Sequence, residues 1–174
     1  MADTTVRRYL PLLEAVFAFH ELTPFSANLS VRASGRTKAH LLDTGLATHL
    51  MRETGTRLAD PANPALGPLL ETFVVNELAR QRTWSDQVVD LHHLRVHRGV
   101  EVDLVAIGDR GRIAGVEVKA TASPGPGDAR GLRWLADRVG ERWVQGVVIC
   151  LVDRPVPLGA GITAMPVAAT WSAG

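Results

Sequence analysis

Two apolar segments carrying charges on alternate residues constrain this chain more than anything else in it. Val100–Ile107 reads VEVDLVAI and Ile113–Ala120 reads IAGVEVKA, with Gly108-Asp109-Arg110-Gly111-Arg112 between them. Alternation with a period of two marks a strand, and a glycine-bearing loop between two such runs predicts a hairpin. Successive strand side chains point to opposite faces. Glu101 and Asp103 are therefore expected on one face, with Val102 and Leu104 on the other. Glu117 and Lys119 share a face in the same way, opposite Val116 and Val118. Pairing through the loop brings Asp103 near Glu117 and Lys119. Carboxylates set side by side among apolar residues are costly unless a cation neutralises them. Two carboxylates and a lysine suit a hard divalent ion, magnesium or manganese, which takes oxygen ligands. Such an ion polarises a phosphoryl oxygen and helps generate hydroxide from water. Lys119 would steady charge on the phosphate or orient the water.

The segments around this hairpin predict an α/β chain. Leu66, Leu69, Leu70, Phe73, Val74 and Leu78 recur at helical spacing, and Glu71 rides on that helix. Val88–Val96 reads as a strand. Asp128, after the Gly/Pro-rich loop Ser123–Gly127, is placed to cap a helix carrying Leu132, Leu135, Ala136 and Val139. Gln145–Val152 is a buried strand, and a short strand and helical turn end near Trp171. With 46% hydrophobic residues in 174, there is ample material for a core. The expected architecture is a mixed sheet flanked by helices.

The chain divides near Pro61-Ala62-Asn63-Pro64, giving an element over 1–60 and a domain over 61–174. In the first, Val6, Tyr9, Leu10, Leu13, Val16 and Phe17 fit a helix, with Pro11 inside the pattern weighing against its running unbroken. Two short strands are expected between Asn28 and Leu42 around Ser34-Gly35, and Asp43 is placed to open a short helix bearing Leu46 and Leu50. A helix followed by a small basic hairpin (Arg32, Arg36, Lys38) resembles the back half of a winged-helix unit.

Other residues carry weaker chemistry. Arg130 and Arg133 follow the Gly/Pro-rich loop at a helix start, where backbone N–H groups and guanidinium forks meet a phosphate well; an ordinary solvated helix face is the alternative. Arg32 and Lys38 are candidate DNA contacts on the hairpin, with a solvated turn as the alternative. His92, His93 and His97 lack the further ligands of a zinc site and read as structural, with His97 a candidate phosphate contact. Trp134 and Trp143 read as core. Cys150 is the only cysteine, in an apolar run, so no internal disulfide forms. A net charge of +1 argues against a strongly basic coat but leaves room for a local basic face. No signal peptide or membrane-spanning stretch is found, and the cytoplasm is the expected compartment.

Glu101-Val102-Asp103 followed by Glu117-Val118-Lys119 resembles the signature of the PD-(D/E)xK nuclease-like superfamily, with valine in place of the proline. More narrowly, the blocks 38–46, 67–74, 99–103 and 115–119 resemble the uncharacterised C-terminal domain of prokaryotic AAA-type ATPases. The resemblance implies a restriction-endonuclease-like sheet and a metal site of Asp103, Glu117 and the helical Glu71, completed by Lys119. It also implies DNA as substrate and an ATPase module as partner. No G-x-x-x-x-G-K-[ST] occurs in the chain, so the ATPase would lie elsewhere. The expected function is metal-dependent DNA phosphodiester hydrolysis. The alternative is a catalytically inactive domain that regulates or docks the ATPase.

Overall fold

The computed structural model describes residues 3–26, 36–96 and 99–172. Their core is one eight-stranded mixed sheet with a helix on each face. In chain order the principal elements are α1 (Asp3–Ala15), β1 (Phe19–Pro24), β2 (Lys38–Leu41), α2 (Thr44–Leu50), α3 (Gly55–Leu58) and α4 (Leu66–Gln81). There follow β3 (Asp90–Val96), β4 (Val100–Ile107), β5 (Ile113–Lys119), α5 (Arg130–Val139), β6 (Trp143–Cys150), β7 (Val156–Gly159), β8 (Ile162–Pro166) and α6 (Ala169–Ser172). The strands lie in the order β2-β1-β3-β4-β5-β6-β8-β7. β3, β4 and β5 run antiparallel, whereas β6 joins β5, and β8 joins β6, in parallel.

The expected hairpin of β4 and β5 forms, and its loop closes through Gly108 N–H donating to the Arg112 carbonyl at 2.9 Å. On one face α5 lays Leu132, Leu135 and Val139 onto Val102, Val105, Ile113 and Val148. It approaches closely because Gly115 and Gly146 have no side chain. A Cβ on Gly115 would come within 2.6 Å of a Leu132 methyl, and one on Gly146 within 2.9 Å of Ile162. On the other face α4 sets Val74 against Val118 and Ile149, and Val75 against Leu104 and Leu22. Trp134 and Trp143 pack at the edge of the α5-side core, as their sequence context predicts.

The first sixty residues differ from expectation. Their first strand, β1, lies ahead of the range read for it, and it pairs antiparallel with β2. The segment 27–35, with Arg32 and the Ser34-Gly35 turn, lies outside the described residues. The pair is not a free wing. β1 runs parallel to β3 through Thr23↔His92 and Pro24↔His93, which adds both strands to the sheet. Burial is the physical reason, because Phe19 and Leu22 are 4% and 3% exposed and Leu22 belongs to the core under α4. Asp43 does cap α2, accepting from Leu46 N–H at 2.8 Å. Asp128 accepts from Gly125 N–H at 2.8 Å, and so stabilises the 3₁₀ turn Pro126–Ala129 that leads into α5. No helix among the described residues is long and apolar enough to cross a membrane.

Candidate functional site

Asp103 owes its setting to an irregularity in β4. Leu94 faces Val102, but His92 faces Val105, so two steps along β3 match three along β4. One extra residue is a β-bulge, which turns the strand and re-aims side chains. Val102 and Val105 consequently share the α5 face, whereas Leu104 joins the α4 face. This corrects the simple alternation that puts Val102 and Leu104 together. The β4–β5 ladder ends at Leu104↔Val116, while β5 continues beside β6 as far as Lys119↔Cys150. Beyond Leu104 a side chain replaces the ladder acceptor: Val118 N–H donates to Asp103 Oδ2 at 2.9 Å.

The charged residues gather in this opening. Glu117 and Lys119 share a face as the alternation predicts, and Lys119 Nζ donates to Glu117 Oε1 at 2.6 Å. Glu117 is 5% exposed, and its Oε2 is buried with no hydrogen-bond partner. Burial first, then the charge of Asp103, pushes the Glu117 carboxyl up to about 7, against the pull of Lys119. Glu71 reaches the same place from α4, so the structure brings together Glu71, Asp103, Glu117 and Lys119. They line a cavity of about 380 Å³ with Glu101, Asp128 and Arg130.

Lys38, read from the sequence as part of an outward basic hairpin, turns inward instead. From the start of β2 its Nζ lies 2.7 Å from Glu101 Oε1, 2.9 Å from Glu71 Oε1 and 3.2 Å from Asp103 Oδ1. Burial alone would lower its pKa, but these three carboxylates outweigh that and hold it above the ordinary lysine value. Glu71 is raised, first by burial and then by Asp103, with Lys38 opposing. Glu101, less buried, is lowered because its bond to Lys38 and the charge of Lys38 overcome the opposing effect of burial. Sequence reasoning missed this clamp. Lys38 is 65 residues from Asp103, and nothing local marks it as more than a surface lysine.

The remaining candidates separate. Arg130 is exposed at the cavity mouth and donates through one nitrogen to the Gly99 carbonyl at 3.0 Å. Arg133 is tied down, donating to the carbonyls of Pro126 at 2.6 Å and Leu158 at 3.3 Å, which makes it a structural brace. His92 bonds Thr23 and His93 bonds the Arg36 carbonyl, so both tie the β1–β2 unit to β3. His97 lies outside the described residues.

The donors are of the type a hard divalent cation takes. They are all oxygen, and they include a buried carboxylate oxygen without a partner. Counting Lys38, the cavity sets five carboxylates against three cationic side chains, a surplus of two negative charges when all are ionised. Among the described residues no three histidine, cysteine or acidic side chains form a ready-made metal cluster. The three carboxylates that do converge, converge on Lys38.

Residues 66–170 match a family model described as a domain of unknown function (DUF4143). Residues 1–57 match a second, also described as a domain of unknown function (DUF8612). Uncharacterized proteins of Mycobacterium tuberculosis (Rv2008c) and Mycobacterium bovis (Mb2031c) are each 36% identical to the chain over 124 residues. The matched stretch covers 71% of this chain and 27% of each relative, so the chain spans about a quarter of the length of the curated relatives it matches. No solved structure matches it.

Proposed function

The chain belongs to the DUF4143 family through residues 66–170, and from that footing we propose that its acidic cavity is a divalent-metal site for phosphodiester hydrolysis in DNA. The observation that carries the reading is the buried, unpartnered Oε2 of Glu117 beside Asp103, where β4 and β5 part. An isolated buried carboxylate oxygen is expensive, and a bound cation removes that cost. Asp103 and Glu117 would hold magnesium or manganese, with Glu71 assisting from α4. Bound there, the ion would supply positive charge against a phosphoryl oxygen and acidify a water.

The chain's own groups do the rest. Lys119 spends one N–H on Glu117 and keeps two more to hold a phosphate oxygen or the attacking water. Arg130, exposed at the mouth, meets the phosphate backbone with its free N–H groups. A restriction-endonuclease-like classification for residues 61–174, with 1–60 as its N-terminal accessory, belongs to this same reading.

Cleavage of plasmid and linear DNA with magnesium or manganese tests it. Wild-type protein is expected to cleave, and Lys119→Ala to lose at least about 100-fold in rate while keeping its DNA affinity. A second reading is favoured by one observation, that Lys38 already engages three of the carboxylates. In it the domain is catalytically silent and docks or regulates an AAA-type ATPase module of a longer protein. Metal-loaded protein that leaves all DNA intact supports this second reading over the first.

A further inference from the structure

We propose that Lys38 is a built-in competitor for the metal, so that the cavity holds either its ammonium or a divalent cation on Asp103. This inference rests on the metal-site reading above and concerns how that site is controlled.

The geometry of Asp103 leaves little room for both. Its Oδ2 is committed to Val118 N–H, and its Oδ1 lies 3.2 Å from Lys38 Nζ. An ion bound through Oδ1 would meet the ammonium at close range, and like charges disfavour each other strongly in a poorly solvated cavity. Lys38 also engages Glu71 and Glu101, which makes three carboxylates from two elements on one ammonium. Its three N–H donors match those three acceptors, the full capacity of a lysine head group.

Glu117 offers the contrast. Its Oε2 is buried without a hydrogen-bond partner, because Lys119 contacts Oε1 alone. One half of the metal pair therefore keeps an unpartnered oxygen, and the other half is held by Lys38.

The holder can leave. Lys38 is the first residue of a four-residue edge strand, and its flexible four-carbon stem reaches inward from there. The β1–β2 unit meets the rest of the sheet through the two register pairs of β1 with β3, together with contacts of β2 to α4 such as Asn76 Nδ2 donating to the Leu41 carbonyl at 2.7 Å. The domain that carries the acidic site is thus regulated by a residue from the N-terminal element.

Calorimetric titration with manganese chloride alone tests the proposal, using the full chain as wild type, Lys38→Met, Lys38→Arg and Lys119→Met. Lys38→Met is expected to bind manganese at least tenfold more tightly than wild type. Lys38→Arg keeps a cation in place and should bind no more tightly than wild type. Lys119→Met removes the same charge from the same cavity but frees only Glu117 Oε1, so its gain should be clearly smaller. Equal gains for Lys38→Met and Lys119→Met would mean a general charge effect and would overturn the proposal, as would no gain for Lys38→Met.

Should Lys38→Met need metal to fold, its melting temperature should climb with manganese far more steeply than that of wild type. A Lys38→Met chain that stays unfolded in manganese overturns the idea. The cleavage assay separates the two claims. Tighter binding without DNA cleavage keeps the competitor and removes the nuclease. Cleavage with manganese affinity independent of residue 38 does the reverse.

Discussion

The two ends of the β4–β5 pair use the same backbone for opposite purposes. From Leu104↔Val116 to Ile107↔Ile113 the ladder is closed, and Ile113 and Val105 are fully buried under α5. From residue 103 outward the strands part, and a carboxylate takes the place of a backbone acceptor. The closed end is stabilised by removing apolar surface from water, roughly 25 cal/mol per Å². The open end gathers like charges and leaves one buried oxygen without a partner. Stability is concentrated where the ladder is intact, and the candidate chemistry sits where it stops. That division is physically reasonable, because close-packed cores tolerate no empty volume, whereas a site must keep some.

Substitutions at the two ends should therefore behave differently. The largest effect belongs to the closed end. Leu132 is fully buried against Gly115 and Gly146, and Leu132→Ala should cost about 2–5 kcal/mol in a denaturant titration. A loss under about 1 kcal/mol would mean that α5 is not packed as described, and the contrast would collapse.

Next comes Glu117→Gln at the open end, which should stabilise the metal-free protein near neutral pH by on the order of 1–3 kcal/mol. Its sign follows from the folded pKa of about 7, above the ordinary 4.5. Folding favours the protonated form, so this stabilisation is complete below pH 4.5 and is lost as pH rises through 7. Glutamine cannot ionise and removes that loss, so wild type and variant should converge near pH 4. His40 limits the acid side in both proteins. Burial first, then the nearby charge of His20 and Lys38, holds its imidazole down at about 4, so stability falls as pH drops from 6.5 towards 4. Thermal melts across pH 4–8 separate these limbs. Destabilisation by Glu117→Gln at pH 8 would make the Glu117–Lys119 pair a structural bridge and would erase the difference between the ends.

The smallest effect sharpens the comparison at the rim. Arg130→Ala should change stability by no more than about 0.5 kcal/mol and reduce the log–log salt slope of DNA binding by about 1. Arg133→Ala should do the opposite, lowering stability through its lost carbonyl bonds while leaving the salt slope unchanged. Filter binding at graded salt, beside melting curves, distinguishes the two arginines.

Much of this was legible in the sequence, for local reasons. Alternation over 100–107 and 113–119 specified two strands, and the glycine-bearing loop specified how they pair. Those two facts brought Asp103, Glu117 and Lys119 together. Helical spacing over 66–78 placed Glu71 on a helix but not over the sheet opening. Period-two reasoning failed at the bulge, because an inserted residue leaves the local pattern unchanged and shows only in the partner strand's register. It failed again at β1 and β2, whose short apolar patterns do not say which sheet edge they join.

The sequence by itself determined the elements around the site, α4 and β3 to β6, and the types of charge they carry, since strand alternation, helical spacing and capping act within a few residues. Only the tertiary structure decided where those charges meet. The parting of β4 from β5 comes beside the bulge in the β3–β4 pairing, which the order of residues in β4 does not show. The placement of Lys38 among Glu71, Glu101 and Asp103 depends on β1 pairing with β3 across a long stretch of chain. Electrostatic interactions act through space and are strengthened by burial, and neither distance nor burial is written in the order of the residues.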